Sequence, residues 1–176
     1  LVSPALTMRL LAEEQSLGTI ELLLTAPVRD VEVVLGKFLS SVAVFLAMLV
    51  LTLYYPLILF LFGDPDPGPI WSGYVIFLLA GGAWLSVGLL TSSFSGNQIV
   101  SWVLAAGILL GLWFIGSAGD AVGGTTGSIL NYLSLSEHLR DSRFGLIDTR
   151  DIIYFVSMIV TALFLTTRSL ETRRWR

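Results

Sequence analysis

The side chains able to do chemistry cluster at the start of this 176-residue chain. Glu13 and Glu14 precede Gly18, Glu21 follows it, and Arg9 stands upstream. No histidine, cysteine or serine–base pair accompanies them, so acid–base or nucleophilic catalysis has no partner group. A second candidate is Gly36-Lys37, the only glycine–lysine pair. Phe38 follows it, and Val31 occupies the place where a phosphate-cradling loop requires its first glycine. No nucleotide site and no ATPase activity are expected here. Gly81-Gly82 and Gly123-Gly124 lack a neighbouring lysine and suit close packing and loop freedom instead. The single histidine, His138, lies beside Glu137 and near Arg140 in a polar stretch, where a solvated side chain is expected. Cysteine is absent, which removes disulfides and thiolate metal sites together.

The elements that position these groups follow from where charge is missing. From Phe38 through Gly63 the chain runs 26 residues without Asp, Glu, Lys, Arg or His. As a helix that run is ~39 Å long, more than the ~30 Å hydrocarbon core of a bilayer. Three further apolar runs follow. The composition agrees, with 55% hydrophobic residues, 13% charged residues and a mean hydropathy of +0.82. The expected fold is all-α: an integral membrane bundle with spans near 38–62, 70–91, 99–117 and 152–167. The last span, at ~24 Å, is short enough to require local thinning of the bilayer or snorkelling by Arg168.

Between the spans lie a proline-rich loop at 63–69, a polar turn at 92–98 and a loop at 119–151 with a short helix expected near 129–139. Asp64 and Asp66 sit among prolines and read as plain loop. Residues 1–37 form a mixed-charge segment of one or two short amphipathic helices, and 168–176 form a basic tail. Three basic residues precede the first span, four lie in the tail, and none lies in the 63–69 loop. Positive charge favours the cytoplasm, which places both ends there and the 119–151 loop outside.

No span carries a fixed charge, which argues against proton-driven transport and against a carboxylate-based intramembrane hydrolase. The scattered basic residues leave no nucleic-acid footprint. Gly82 with Ser86, and Gly107 with Gly111, have the spacing that lets helices approach closely, chiefly within one bundle and otherwise between two subunits. A glycine-broken, proline-ended acidic helix tied to a span can transmit force, or it can be an ordinary linker; the residues alone leave both open.

The stretch from Leu6 to Lys37 resembles the cytoplasmic segment of ABC transporter permeases of the second, exporter-like type, especially the gliding-motility-associated subfamily. Pro4, Leu6-Thr7-Met8-Arg9, Ala12-Glu13-Glu14, Gly18-Thr19, Glu21, Leu22-Leu23, Pro27 and Gly36-Lys37 carry the likeness. Gly73-Tyr74, Asn97-Gln98, the 133–138 stretch, the 145–148 stretch and Leu170-Glu171 extend it over nearly the whole chain. The resemblance implies six spans, of which two would precede Leu1, with residues 1–8 ending the second. It also implies a coupling helix seated on a separate ATPase subunit, with Arg9, Glu13, Glu14, Gly18, Thr19 and Glu21 at or near that contact.

ATP and magnesium would be bound by that partner and no cofactor by this chain. A second permease copy or sister permease would complete a transporter in a bacterial or archaeal plasma membrane. The 119–151 loop would correspond to short helices dipping into the outer leaflet. A membrane anchor or assembly factor that recruits an ATPase without moving cargo is the other reading.

Overall fold

The computed structural model describes residues 2–8, 10–17, 29–140 and 147–174. Among them every regular element is helical, and four stretches are long and apolar enough to cross a bilayer. Two short helices, α1 (Val2–Thr7) and α2 (Ala12–Leu17), come first. Arg9, Gly18, Thr19 and Glu21 lie outside the described residues.

The first apolar stretch begins at Asp30, eight residues before the sequence-based expectation. Asp30 and Glu32 sit in its first turn, where carboxylates complement the helix dipole, and the Glu32 carboxylate accepts the Arg29 N–H at 3.1 Å. The stretch is two helices, α3 (Asp30–Leu51) and α4 (Tyr54–Phe62). Pro56 explains the break: it has no N–H to offer the carbonyl of Thr52. That carbonyl instead accepts the Tyr55 N–H at 3.0 Å, and the Tyr74 hydroxyl, which lies 3.0 Å from Thr52 Oγ1, donates to it as well at 3.1 Å.

Asp66 caps the next helix, α5 (Pro67–Phe94), by accepting the Gly68 N–H at 2.9 Å, and Pro67 occupies the helix start that proline favours. This helix is the centre of the bundle. It packs against α1, α3 and the two later spans, α6 (Gln98–Val122) and α9 (Thr149–Arg174). Asn97 starts α6 in the same way, accepting the Ile99 N–H at 2.9 Å. The last helix is longer than the expected 152–167: a span-competent length from Thr149 to Thr172, ~36 Å, removes the need for bilayer thinning. Asp148 accepts the Arg150 N–H at 3.0 Å at its start, and Arg168 pairs with Glu171 near its end.

Between α6 and α9, a helix expected near 129–139 is in fact a pair, α7 (Gly124–Leu133) and α8 (Leu135–Arg140), parted at Ser134. Gly123 and Gly124, at φ 65° and 64°, adopt the left-handed backbone needed to reverse the chain after α6. The pair then folds back along α6. Ser136 donates to the Trp113 carbonyl at 3.2 Å, about nine residues or ~13 Å in from the end of α6.

Apolar packing gathers at two levels of α5. Ile76, Ala80 and Ala83 pack with Leu135 of α8 and with Tyr154 and Phe155 of α9. Leu89 packs with Leu11, Val34 and Leu170 at the opposite end. By contrast, α3 and α4 expose most of their leucines and phenylalanines, the condition of a helix whose solvent is hydrocarbon.

Candidate functional site

The acidic N-terminal segment is fixed to three spans at once. Helix α2 begins with N–H groups that have no partner within the helix. Those of Leu11 and Ala12 donate to Ser92 Oγ at 3.1 and 2.9 Å, and the Ser92 hydroxyl donates to the Met8 carbonyl at 3.1 Å. Ser92 is fully buried at the end of α5, so one hydroxyl caps α2 from across the fold. Lys37 of α3 adds a second tie, donating to the Leu10 carbonyl at 2.7 Å and pairing with Glu14 at 2.6 Å. Leu11 completes the joint by packing on Val34, Leu89 and Leu170. Full burial of such a side chain contributes about 2 kcal/mol.

The two described carboxylates of the segment therefore part company. Glu13 is exposed and free to meet another surface, while Glu14 is turned inward onto Lys37. Arg9, Gly18, Thr19 and Glu21, expected beside them, fall outside the described residues. Ser92 and Lys37 are the residues whose part in this joint sequence reasoning missed. Ser92 was hidden in a polar run that looked like a turn but whose first residues continue α5. Lys37 was weighed as half of a phosphate-loop motif and as part of the family likeness, not as the partner of Glu14.

The four small residues divide as well. Gly82 and Ser86 are buried in α5; a Cβ on Gly82 would lie 3.3 Å from Ile159 of α9, and the Ser86 hydroxyl donates to the Ala83 carbonyl at 2.7 Å. Gly107 and Gly111 are exposed on α6, with no neighbour among the described residues within 4 Å of an added Cβ. The tightest approaches are elsewhere. Gly81 lies under the Phe45 ring and Gly88 under Thr7, while Gly119 and Gly127 bring the backbones of α6 and α7 together.

His138 is not the solvated side chain that its polar neighbours suggested; it is 5% exposed. Its Nε2 lies 2.8 Å from the Tyr132 carbonyl, which can only accept, so Nε2 carries a proton and donates. Its Nδ1 lies 2.6 Å from Asp151 Oδ1, and the ring stacks on Tyr154 at 4.0 Å. The Tyr154 hydroxyl donates to the Leu133 carbonyl at 2.8 Å. Two carbonyls left over at the end of α7 are thus closed by side chains from α8 and α9, and the pair is locked to the last span. Sequence spacing gave no sign of this, because the histidine's partner follows thirteen residues later.

An apolar groove of about 520 Å³ runs between α3 and α5, lined by Phe45, Met48, Leu49, Thr52, Tyr74 and Phe77. No cluster of three metal-ligating side chains occurs among the described residues. Among the described residues the arrangement offers mechanical linkage and an apolar surface.

The family model described as ABC-2 family transporter protein matches residues 1–175. The chain belongs to that family, and its apolar helices are those of a membrane permease. Neither a curated protein nor a solved structure matches it.

Proposed function

We propose that this ABC-2 family member is the permease subunit of an ATP-driven exporter, worked by a separate ATPase that docks on the segment around α2. The observation that carries this reading is the joint itself. Ser92, Lys37 and Leu11 bind α2 to α5, α3 and α9, so a displacement of α2 is delivered to three spans together. An ordinary linker needs no such buried cap.

In this reading Glu13 faces the ATPase, and Glu14 fastens the lever to α3. The undescribed Arg9, Gly18, Thr19 and Glu21 complete the docking segment. Both chain ends lie in the cytoplasm of a bacterial or archaeal cell, and two permeases pair to frame the pathway, with ATP and magnesium held by the partner. A lining of serine, threonine and aromatic residues without fixed charge suits amphipathic or lipid-linked cargo. The 6–37 motif string supports the gliding-motility-associated branch of the family.

The test is co-expression of the full-length protein with the ATPase encoded beside it. Glu13→Lys is expected to block ATPase assembly, and Lys37→Met to leave assembly intact while transport falls. Unchanged assembly and transport in both variants would falsify the coupling assignment. Assembly with ATP turnover but no cargo movement in vesicles would support a membrane anchor instead.

A further inference from the structure

Burial along the first apolar stretch stops halfway. Val34, Ser41 and Phe45 seat the first half of α3 in the bundle, and from Leu46 to Phe62 no side chain is buried. The whole stretch, Asp30 to Phe62, holds 33 residues, ~50 Å as one straight helix against a ~30 Å hydrocarbon core. It ends in Phe60-Leu61-Phe62, apolar side chains that favour lipid over water. The excess length is therefore taken up by bending rather than by projecting from the membrane.

The bend has a defined place, where the hydrogen-bond ladder changes step. The N–H groups of Thr52, Leu53 and Tyr55 donate to carbonyls three residues back, those of Leu49, Val50 and Thr52, each at 3.0 Å. The four-residue step is back at Leu57, whose N–H donates to the Leu53 carbonyl at 3.2 Å. A tight turn inside a helix has poorer bond geometry than its flanks and is where the two sides pivot. Pro56 makes the weakness permanent, because it has no N–H with which to restore the regular bond to Thr52.

One polar contact crosses from this pivot to α5. The Thr52 hydroxyl donates to the Leu49 carbonyl at 2.6 Å, so toward Tyr74 its oxygen accepts. The single hydroxyl proton of Tyr74 is thus shared between the Thr52 carbonyl at 3.1 Å and Oγ1 at 3.0 Å. Among the described residues no other side-chain hydrogen bond or ion pair ties Thr52 or α4 to a neighbouring helix. Thr52 and Tyr74 also stand on opposite walls of the groove between α3 and α5, so their contact holds those walls together.

We propose that α4, with Thr52 at its root, is a hinged arm of the span and that the Tyr74 hydroxyl is its latch. With the latch made, the groove is narrow at the Thr52 end. With it released, the arm swings away from α5 and the groove opens sideways to lipid. The proposal rests only on α3, α4 and α5 lying in the membrane, not on the export reading.

The experiment is double electron–electron resonance on the full-length protein in lipid nanodiscs. Spin labels on Leu61→Cys of α4 and Ile153→Cys of α9, both exposed positions, read the arm; Val44→Cys with Ile153→Cys is the reference pair. The arm pair is expected to give two distances and the reference pair one. Tyr74→Phe is expected to raise the share of the distance that departs from this structure about threefold, the population change carried by one interhelical bond in a membrane. Pro56→Ala, which restores the N–H, is expected to leave a single distance.

Size-exclusion chromatography establishes folding, and Pro56→Ala decides alone if labelled Tyr74→Phe does not fold. A wild-type arm pair as narrow as the reference pair overturns the proposal. So do two distances whose ratio ignores Tyr74→Phe, or that persist unchanged in Pro56→Ala.

Discussion

Ala12 and Ser92 are eighty positions apart, yet the backbone N–H of the first donates to the hydroxyl of the second at 2.9 Å inside the protein. That bond converts a short helix, too brief to hold itself together in water, into a fixed extension of the bundle. It also makes the segment's order depend on one side chain of the central span.

Ser92→Ala is expected to strand two buried N–H groups and weaken the joint by about 1–2 kcal/mol. Hydrogen exchange at residues 10–17 reads the effect, with protection falling there and holding in α6. Ser86→Ala, which removes a hydroxyl bonded to the Ala83 carbonyl at 2.7 Å, should leave that protection unchanged.

Lys37→Met and Glu14→Gln remove opposite halves of a partly buried pair. A double-mutant cycle on thermal stability is expected to show coupling of about 1 kcal/mol. Strict additivity would mean that the pair is not formed.

His138→Ala leaves the buried Asp151 carboxylate without its partner and reopens the end of α7. Loss of about 3 kcal/mol is expected in denaturant unfolding. A loss below about 0.5 kcal/mol, the level of ordinary surface substitutions, would return His138 to the solvated role its neighbours suggested.

Gly81→Ala drives a methyl into the Phe45 ring and is expected to destabilise the bundle by about 1–3 kcal/mol, with Phe45→Leu restoring part of the loss. Gly107→Ala meets no described residue and should raise helix stability by up to about 1 kcal/mol. Cross-linking between permease copies is the measurement that shows whether the exposed Gly107 face has a partner in the assembly.

Tyr74→Phe takes away the hydroxyl that serves the Thr52 carbonyl. A cost near 0.6 kcal/mol, with weaker amide protection around Thr52 and Leu53, is the expected outcome in detergent.

The four apolar stretches were readable because exclusion of charge over two dozen residues is a signal that needs no neighbours. Asp66 and Asn97 marked helix starts through local bonds and stood in sequence beside what they cap. The joint was only half visible. Glu13 and Glu14 drew attention as charges, but Ser92 has meaning only through Leu11 and Ala12, which lie in a distant part of the chain. His138 was misjudged for the same reason: exposure depends on Asp151 and Tyr154, and linear context reports only Glu137 and Leu139. Glycine spacing at Gly107 and Gly111 marks a face and says nothing about what stands opposite it, and no described residue of the chain does.

Gly119 and Gly127 press two backbones together where even the smallest side chain would not fit. How closely the α7–α8 pair folds back along α6 is thus governed by two absent methyl groups. A chain with alanine at either place would carry the same elements with α7 standing off from α6 and the contact between their backbones lost.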